Sequence, residues 1–212
     1  MLFILGVRIM EITSQMLTIN EISQVIPGAA KGVYNLDIAA SKERTHLLKG
    51  NNLDSEGGIS TEVMDQVEFS TTRNIERYIL QEGDVVVMAR GSAIRAGCVT
   101  KQVAQKRVIA SANFIIIRPN SDEVKGEVIA AYLNSIIGQQ RLQSLSKGSA
   151  IQHIPTSSLR ELEIPVPAME LQQKISDIFY ANREAYQATL ALAEQQKRTA
   201  NASMLNMMLD VA

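Results

Sequence analysis

The sequence predicts a mixed α+β domain on a twisted, mostly antiparallel sheet, followed by a long C-terminal helix that pairs as a coiled coil. Three observations predict this class. Short apolar runs separated by Gly, Pro and Asn fill the first two thirds of the chain, the punctuation of a sheet made of short strands. One of them, Asn113-Phe114-Ile115-Ile116-Ile117, is rich in β-branched residues and is closed by Arg118-Pro119-Asn120. From Ala168 to Ala212 there is neither Gly nor Pro, which leaves room for a helix of about 40 residues, or about 60 Å at 1.5 Å per residue. The expected division therefore falls between residues 1–165 and 166–212.

Taken in order, Met1 to Ile9 is apolar but short and interrupted by Arg8, so it reads as a first strand or a start-site extension rather than a signal peptide. Leu17-Thr18-Ile19 and Ser23-Gln24-Val25-Ile26 alternate weakly and stop at Pro27-Gly28; loop chemistry follows at Gly32, Asn35, Lys49-Gly50-Asn51-Asn52 and Gly57-Gly58. Glu82-Gly83-Asp84 announces a strand over Val85-Val86-Val87-Met88, and Gly91 and Gly97 bracket the next turn. Cys98-Val99-Thr100 and Val108-Ile109-Ala110 read as strands. Val128, Ala131, Tyr132, Ile136 and Leu142 give helical spacing to a segment from Glu127 to Leu145, with a weak point at Gly138. Ile164-Pro165-Val166-Pro167 can form only a short edge strand, because each Pro lacks a ladder donor. In the long helix, Leu171, Ile175, Ile178, Ala185, Thr189 and Leu192 form one stripe, and Phe179, Tyr186, Leu190, Ala193, Ala200, Met204 and Met208 form a neighbouring one. Adjacent stripes rich in Ala and Met suit close contact with a partner helix.

Hydrophobic residues make up 46% of the 212, enough for one cored domain with an appendage. A single Cys excludes an intrachain disulfide and, with only two His, leaves too few ligands for a structural zinc site. A reducing cytoplasm is the expected setting, and no run approaches the roughly 18 apolar residues of a membrane span. The net charge of −1 hides an uneven distribution. Residues 85–121 carry Arg90, Arg95, Lys101, Lys106, Arg107 and Arg118 without an acid; residues 128–160 carry Arg141, Lys147 and Arg160, again without an acid. Should these two blocks meet in space, they would form the basic face that a polyanion needs.

Catalytic signatures are missing. The Gly91–Gly97 turn has the wrong spacing for a phosphate-binding loop. Asp122-Glu123-Val124-Lys125 has a carboxylate–x–Lys pattern but no upstream metal-binding carboxylate, and reads as a solvated turn. His46 and His153 lack the spacing of a metal pair or a nucleophile–base pair. Ser149 lacks a nucleophile elbow, and Cys98 reads as a core residue. No catalytic residue, metal site or cofactor is expected.

Several segments resemble the specificity subunit of type I restriction–modification systems, in the form of one target-recognition domain and one conserved spacer helix. Gly83-Asp84 through Arg90-Gly91 is similar to the family's Gly-Asp, apolar run, Arg and Gly; Leu133-Asn134-Ser135 is similar to its Leu-x-Ser helix. Lys147-Gly148-Ser149 through Ile154 resembles its Gly-Ser loop, and Ile164-Pro165-Val166-Pro167 followed by Leu171-Gln172-Gln173-Lys174-Ile175 resembles the lead-in to its spacer helix. The resemblance covers most of residues 17–209, and it is specific mainly in the C-terminal half. It departs from the family in having one recognition unit and one helix where a full-length member has two of each.

The resemblance implies a non-catalytic subunit that addresses adenine methyltransferase subunits and a motor–nuclease restriction subunit to double-stranded DNA. It implies residues 1–165 as the target-recognition domain and 166–212 as the spacer. It also implies a second copy of the chain as partner, a homodimer on a bipartite, palindromic site. The DNA-contacting residues expected are Arg90, Ser92, Arg95 and Lys101 after the Val85–Met88 strand; Lys147, Ser149, Gln152 and His153 in the Gly-Ser loop; and Lys31, Tyr34, Lys42, Arg44 and Arg73 in the N-terminal half. Leu171, Ile175, Ile178, Phe179, Tyr186, Leu190, Ala193, Met204 and Met208 are expected at the partner helix. Two other readings stay open from sequence: a protein-binding adaptor with a helical arm, and the recognition subunit of a type II restriction–methylation enzyme.

Overall fold

The computed structural model describes residues 14–35, 45–69, 75–91, 93–146 and 152–209. The first strands are β1 (Gln15–Thr18), β2 (Ser23–Pro27), β3 (Tyr34–Asn35), β4 (Thr45–Leu48) and β5 (Asp65–Phe69), with one helical turn, α1 (Ile19–Ile22), between the first two. Next come β6 (Val85–Met88), β7 (Arg90–Gly91), β8 (Ala96–Cys98), the turn α2 (Lys101–Ala104), β9 (Val108–Ala110) and β10 (Phe114–Pro119). The helices α3 (Gly126–Asn134) and α4 (Ile136–Leu145) precede β11 (Gln152–His153), α5 (Thr156–Arg160), β12 (Glu163–Val166) and the long α6 (Met169–Leu209).

A fully antiparallel sheet in the order β2-β10-β6-β8 organises the domain. Alternation divides its residues between two faces. Val86, Met88, Phe114, Ile116 and Ile26 share one cluster with Leu48 of β4 and Val108 and Ala110 of β9, so this face packs on the second sheet, β3-β5-β4-β9. Helix α3 lies against β6 and β8 with Val128, Ile129 and Leu133 buried. Covered on both sides, β6 and the first four residues of β10 are buried throughout. That explains why both read as continuous apolar runs rather than as alternating ones.

The expected strands at Val85–Met88 and Val108–Ala110 form as read. The run over Asn113–Ile117 starts one residue later and continues to Pro119, and the strand expected at Cys98–Thr100 is shifted to Ala96–Cys98. Glu163–Val166 pairs only with β1, setting Pro165 opposite Met16 where no further strand needs its missing donor. Helix α6 begins one residue after Ala168 and runs for 41 residues.

The segment Glu127–Leu145 is two helices, not one, and the break comes at Ser135 rather than Gly138. Ser135 has ψ 161° and its side chain caps α4, accepting from Gly138 N at 3.1 Å. Gly138 is required by close approach: a Cβ there would stand 2.0 Å from the Tyr132 carbonyl oxygen. Strands β4 and β5 lie where loop chemistry dominated the sequence, and β4 runs parallel to β9 with Leu47 opposite Ile109.

By contact density the chain forms two units, Met1–Ser176 and Asp177–Ala212. In the second unit every residue from Gln187 to Leu209 is exposed. No helix among the described residues is long and apolar enough to cross a membrane.

Candidate nucleic-acid interface

The two basic segments singled out in the sequence meet at one end of the antiparallel sheet. After β6, the main chain is anchored by Asn113, whose carbonyl accepts from Ala89 N at 2.9 Å and Arg90 N at 3.1 Å. Arg90-Gly91 then pairs antiparallel with Gln152-His153, with Arg90 opposite His153. Ile154 N donates to the Ala89 carbonyl at 2.9 Å and continues the pairing. Arg90 is exposed, and its Nε donates to His153 Nδ1 at 3.2 Å. Arg95 belongs to the same end, since its carbonyl accepts from Met88 N at 2.8 Å. It is half-buried, and its guanidinium donates through Nη1 to the Leu53 carbonyl at 3.0 Å.

The rest of the two blocks does not join this end, and the single basic face expected from charge counting does not form among the described residues. Val85 pairs with Cys98 and Val87 with Ala96. Lys101, three residues beyond Cys98 and exposed, therefore stands at the opposite end of the sheet from Arg90. Arg118 is at that far end too, and it is neutralised. Its Nε and Nη2 grip Asp84 Oδ1 and Oδ2 at 2.9 and 2.8 Å, and Nη2 also donates to the Ile79 carbonyl at 2.9 Å. The Asp84 side chain is 1% exposed. Arg141 and Arg160 donate to the main-chain carbonyls of Glu163 and Val25. Lys106 donates to Thr61 Oγ1 at 2.7 Å.

In the N-terminal half, Lys31 is exposed on a short 3-10 turn. Tyr34, expected at DNA, is instead buried with Leu47, Val67, Tyr78 and Ile109. Burial pushes its phenol above the ordinary value; nearby Lys49 opposes that shift and Asp65, the ion-pair partner of Lys49, adds to it. The ring is held by the core because strand β3 turns it inward. Lys42, Arg44, Arg73, Ser92, Lys147, Ser149, the Gln152 side chain and the Met1–Ile9 segment lie outside the described residues.

The partner-helix residues divide along α6. Leu171 and Ile175 are half-buried within the first unit, where Gln172 and Ser176 are the buried positions. In the second unit Phe179 and Tyr186 are half-buried, whereas Ala193 is exposed and Ile178, Leu190, Met204 and Met208 are 68%, 43%, 50% and 73% exposed. Leu205, Met207 and Leu209, outside both expected stripes, are also exposed.

Three polar side chains that sequence reading did not single out as structural brace this framework. Asn134, at the end of α3, accepts from Ala96 N at 3.0 Å and donates to the Ala96 carbonyl at 2.7 Å. It occupies the open edge of β8 as another strand would. Gln172 accepts from Lys125 N and donates to the carbonyls of Glu123 and Pro167, each at 2.9 Å, tying the start of α6 to the Asp122–Lys125 turn. Asp84 is the third. Among the described residues no group of His, Cys, Asp and Glu could hold a metal ion, and Cys98 is buried.

The sequence profile of the family described as type I restriction modification DNA specificity domain matches residues 33–199. Comparison with curated proteins gave no match. Among solved structures, the fold is similar to the S subunit of a type I restriction-modification system from M. genitalium, at 19% identity and a TM-score of 0.56 over 92% of this chain and 45% of that one. It is also similar to the HsdS subunit from Thermoanaerobacter tengcongensis, at 15% identity and a TM-score of 0.54 over 87% of this chain and 40% of that one. The chain thus spans less than half the length of these solved subunits.

Proposed function

Because this chain belongs to the type I restriction modification DNA specificity domain family, we propose that it is the non-catalytic DNA-reading subunit of a restriction–modification system. The observation that carries the reading is the Arg90–Gly91 ladder with Gln152–His153. It joins two segments whose facing residues are 63 positions apart in sequence, and it presents an exposed arginine at the end of a rigid, doubly covered sheet. Loop residues on such a support suit groove contacts, in which cations fix register on phosphates and directed donors read base edges. Residues 1–165 serve as the recognition unit and 166–212 as the spacer.

In this reading the subunit works in the cytoplasm and brings adenine methyltransferase subunits and the motor–nuclease subunit to the site. A second copy supplies the other recognition unit, and the exposed Ile178, Leu190, Met204 and Met208 supply the apolar contact between spacer helices. Two-fold pairing makes the target bipartite and palindromic.

Purification of the full chain with a cognate adenine methyltransferase subunit, followed by mass measurement and methylation mapping, tests the reading. The expected result is a complex holding two copies of this chain and methylating one bipartite site. A chain that binds neither the methyltransferase nor duplex DNA at low salt contradicts it, and favours the adaptor alternative. Replacing Leu190 and Met204 by Glu should give a one-copy particle by sedimentation without unfolding residues 14–176.

A further inference from the structure

We propose that His153 is a positioning residue for a base-reading arginine. By holding Nε of Arg90 it leaves only the terminal Nη1/Nη2 edge of the guanidinium free to meet DNA, and that edge reads a guanine in the major groove. The inference deepens the proposed DNA-reading role and rests on it.

A guanidinium carries five N–H donors and no acceptor. It can offer a planar pair along its side, from Nε and one Nη, or at its end, from Nη1 and Nη2. Here the side edge is taken, because Arg90 Nε lies 3.2 Å from His153 Nδ1. The arginine can only donate, so Nδ1 accepts and the imidazole is neutral with its proton on Nε2.

Both residues are fixed from behind. They are direct partners across the β7–β11 ladder. Arg90 N is held by the Asn113 carbonyl, and His153 N donates to Ser146 Oγ at 3.2 Å. The next main-chain bond, from Ile154 N to the Ala89 carbonyl, locks the register. A phosphate accepts a cation from many directions and gains little from such orientation. The O6 and N7 of guanine form a planar acceptor pair that accepts only an aligned fork. A guanidinium oriented through its own Nε is the arrangement suited to the second task. The His153 Nε2–H adds one more donor beside it, which again matches an acceptor-rich edge.

Two other arginines provide the internal contrast. Arg95 spends its Nη1 on the Leu53 carbonyl, so its end edge is not free as a pair. Arg118 spends Nε and Nη2 on the Asp84 carboxylate, which also cancels its charge. Arg90 is oriented instead by a neutral ring, so it is aligned without being neutralised.

The test is selection from a duplex library with randomised positions, using the full chain as wild type and as Arg90→Ala, His153→Ala, His153→Asn and His153→Gln. In His153→Asn the shorter amide would place its Oδ1 where Nδ1 now stands, whereas in His153→Gln the longer side chain would place its amide near the present Nε2. The wild type should select a site containing a G·C pair that Arg90→Ala no longer prefers, a loss of about 5- to 100-fold in discrimination at that pair. His153→Ala should relax the same pair and no other. His153→Asn should restore the preference and His153→Gln should not. Urea midpoints measured alongside identify any variant whose loss comes from unfolding.

Arg90→Ala lowering affinity equally for all sequences would overturn the guanine assignment in favour of a phosphate contact. His153→Ala leaving the selected site unaltered, or His153→Asn behaving like His153→Ala, would overturn the positioning role while the DNA-reading role stands. A wild-type chain that retains no duplex at all would overturn that role and this inference with it.

Discussion

Arg118 and Arg90 stand at opposite ends of one antiparallel sheet, and their surroundings give them opposite uses. Arg118 lies on β10 beside the start of β6, where Asp84 meets it with both carboxylate oxygens. Arg90 follows the end of β6, where a neutral imidazole takes only one of its donors. The first arginine is consumed by the fold and contributes rigidity. The second keeps its charge and its terminal edge. Both belong to the same acid-free stretch of sequence, so the difference lies in what folding brings opposite each, not in local charge.

The largest effect should come from breaking the braced end. Asp84→Ala leaves Arg118, with a side chain only 19% exposed, without its carboxylate, and should cost about 3–5 kcal/mol in urea unfolding. DNA binding should fall only as far as the folded fraction does. Gln172→Ala should cost about 1–3 kcal/mol, because the Lys125 N–H and the Glu123 and Pro167 carbonyls lose their partner together. At the other end the pattern should reverse. Arg90→Ala should change stability by less than about 0.5 kcal/mol while weakening duplex binding. Lys101→Ala, at the far end of the sheet, should weaken binding less than Arg90→Ala in the same titration; equal losses would mean that both ends face DNA.

The smallest effect is a pH dependence at the β1–α1 junction. The Thr18 main-chain N–H and hydroxyl both donate to Glu21, at 2.7 and 2.8 Å. These bonds, the main-chain one foremost, hold the Glu21 carboxyl below the ordinary value. The stabilisation is present above the unfolded value of about 4.3 and is lost as pH falls through the lower folded value. Glu21→Gln should therefore lower the urea midpoint at neutral pH and leave it unaltered once wild-type Glu21 is protonated.

What could be read from the sequence follows the same division. β6 and β10 were legible because burial on both faces demands unbroken runs such as Val85-Val86-Val87-Met88. The spacer helix was legible from 45 residues without Gly or Pro. β4 was not, because it depends on a parallel partner, β9, far along the chain, and its flanks carry turn residues. The split at Ser135 had a signal in its capping side chain, but Gly138 is the stronger helix breaker and drew the boundary. Counting charge in windows separated Asp84, the last residue of an acidic stretch, from Arg118 in the basic one. It could not see that the two are neighbours across the sheet. The meeting of Arg90 with His153 needed two strands of two residues each, too short to leave any periodicity.

The central claim is that the Arg90–His153 end of the sheet faces duplex DNA. Its most direct test is the salt dependence of binding for the full chain on a duplex, wild type against a variant with Arg90 and Lys147 both replaced by Ala. The account predicts binding at low salt that falls linearly on a log–log plot, and a shallower slope in the variant by about 0.9 for each phosphate contact removed. Identical affinity and slope in the two proteins, with both folded, would contradict it.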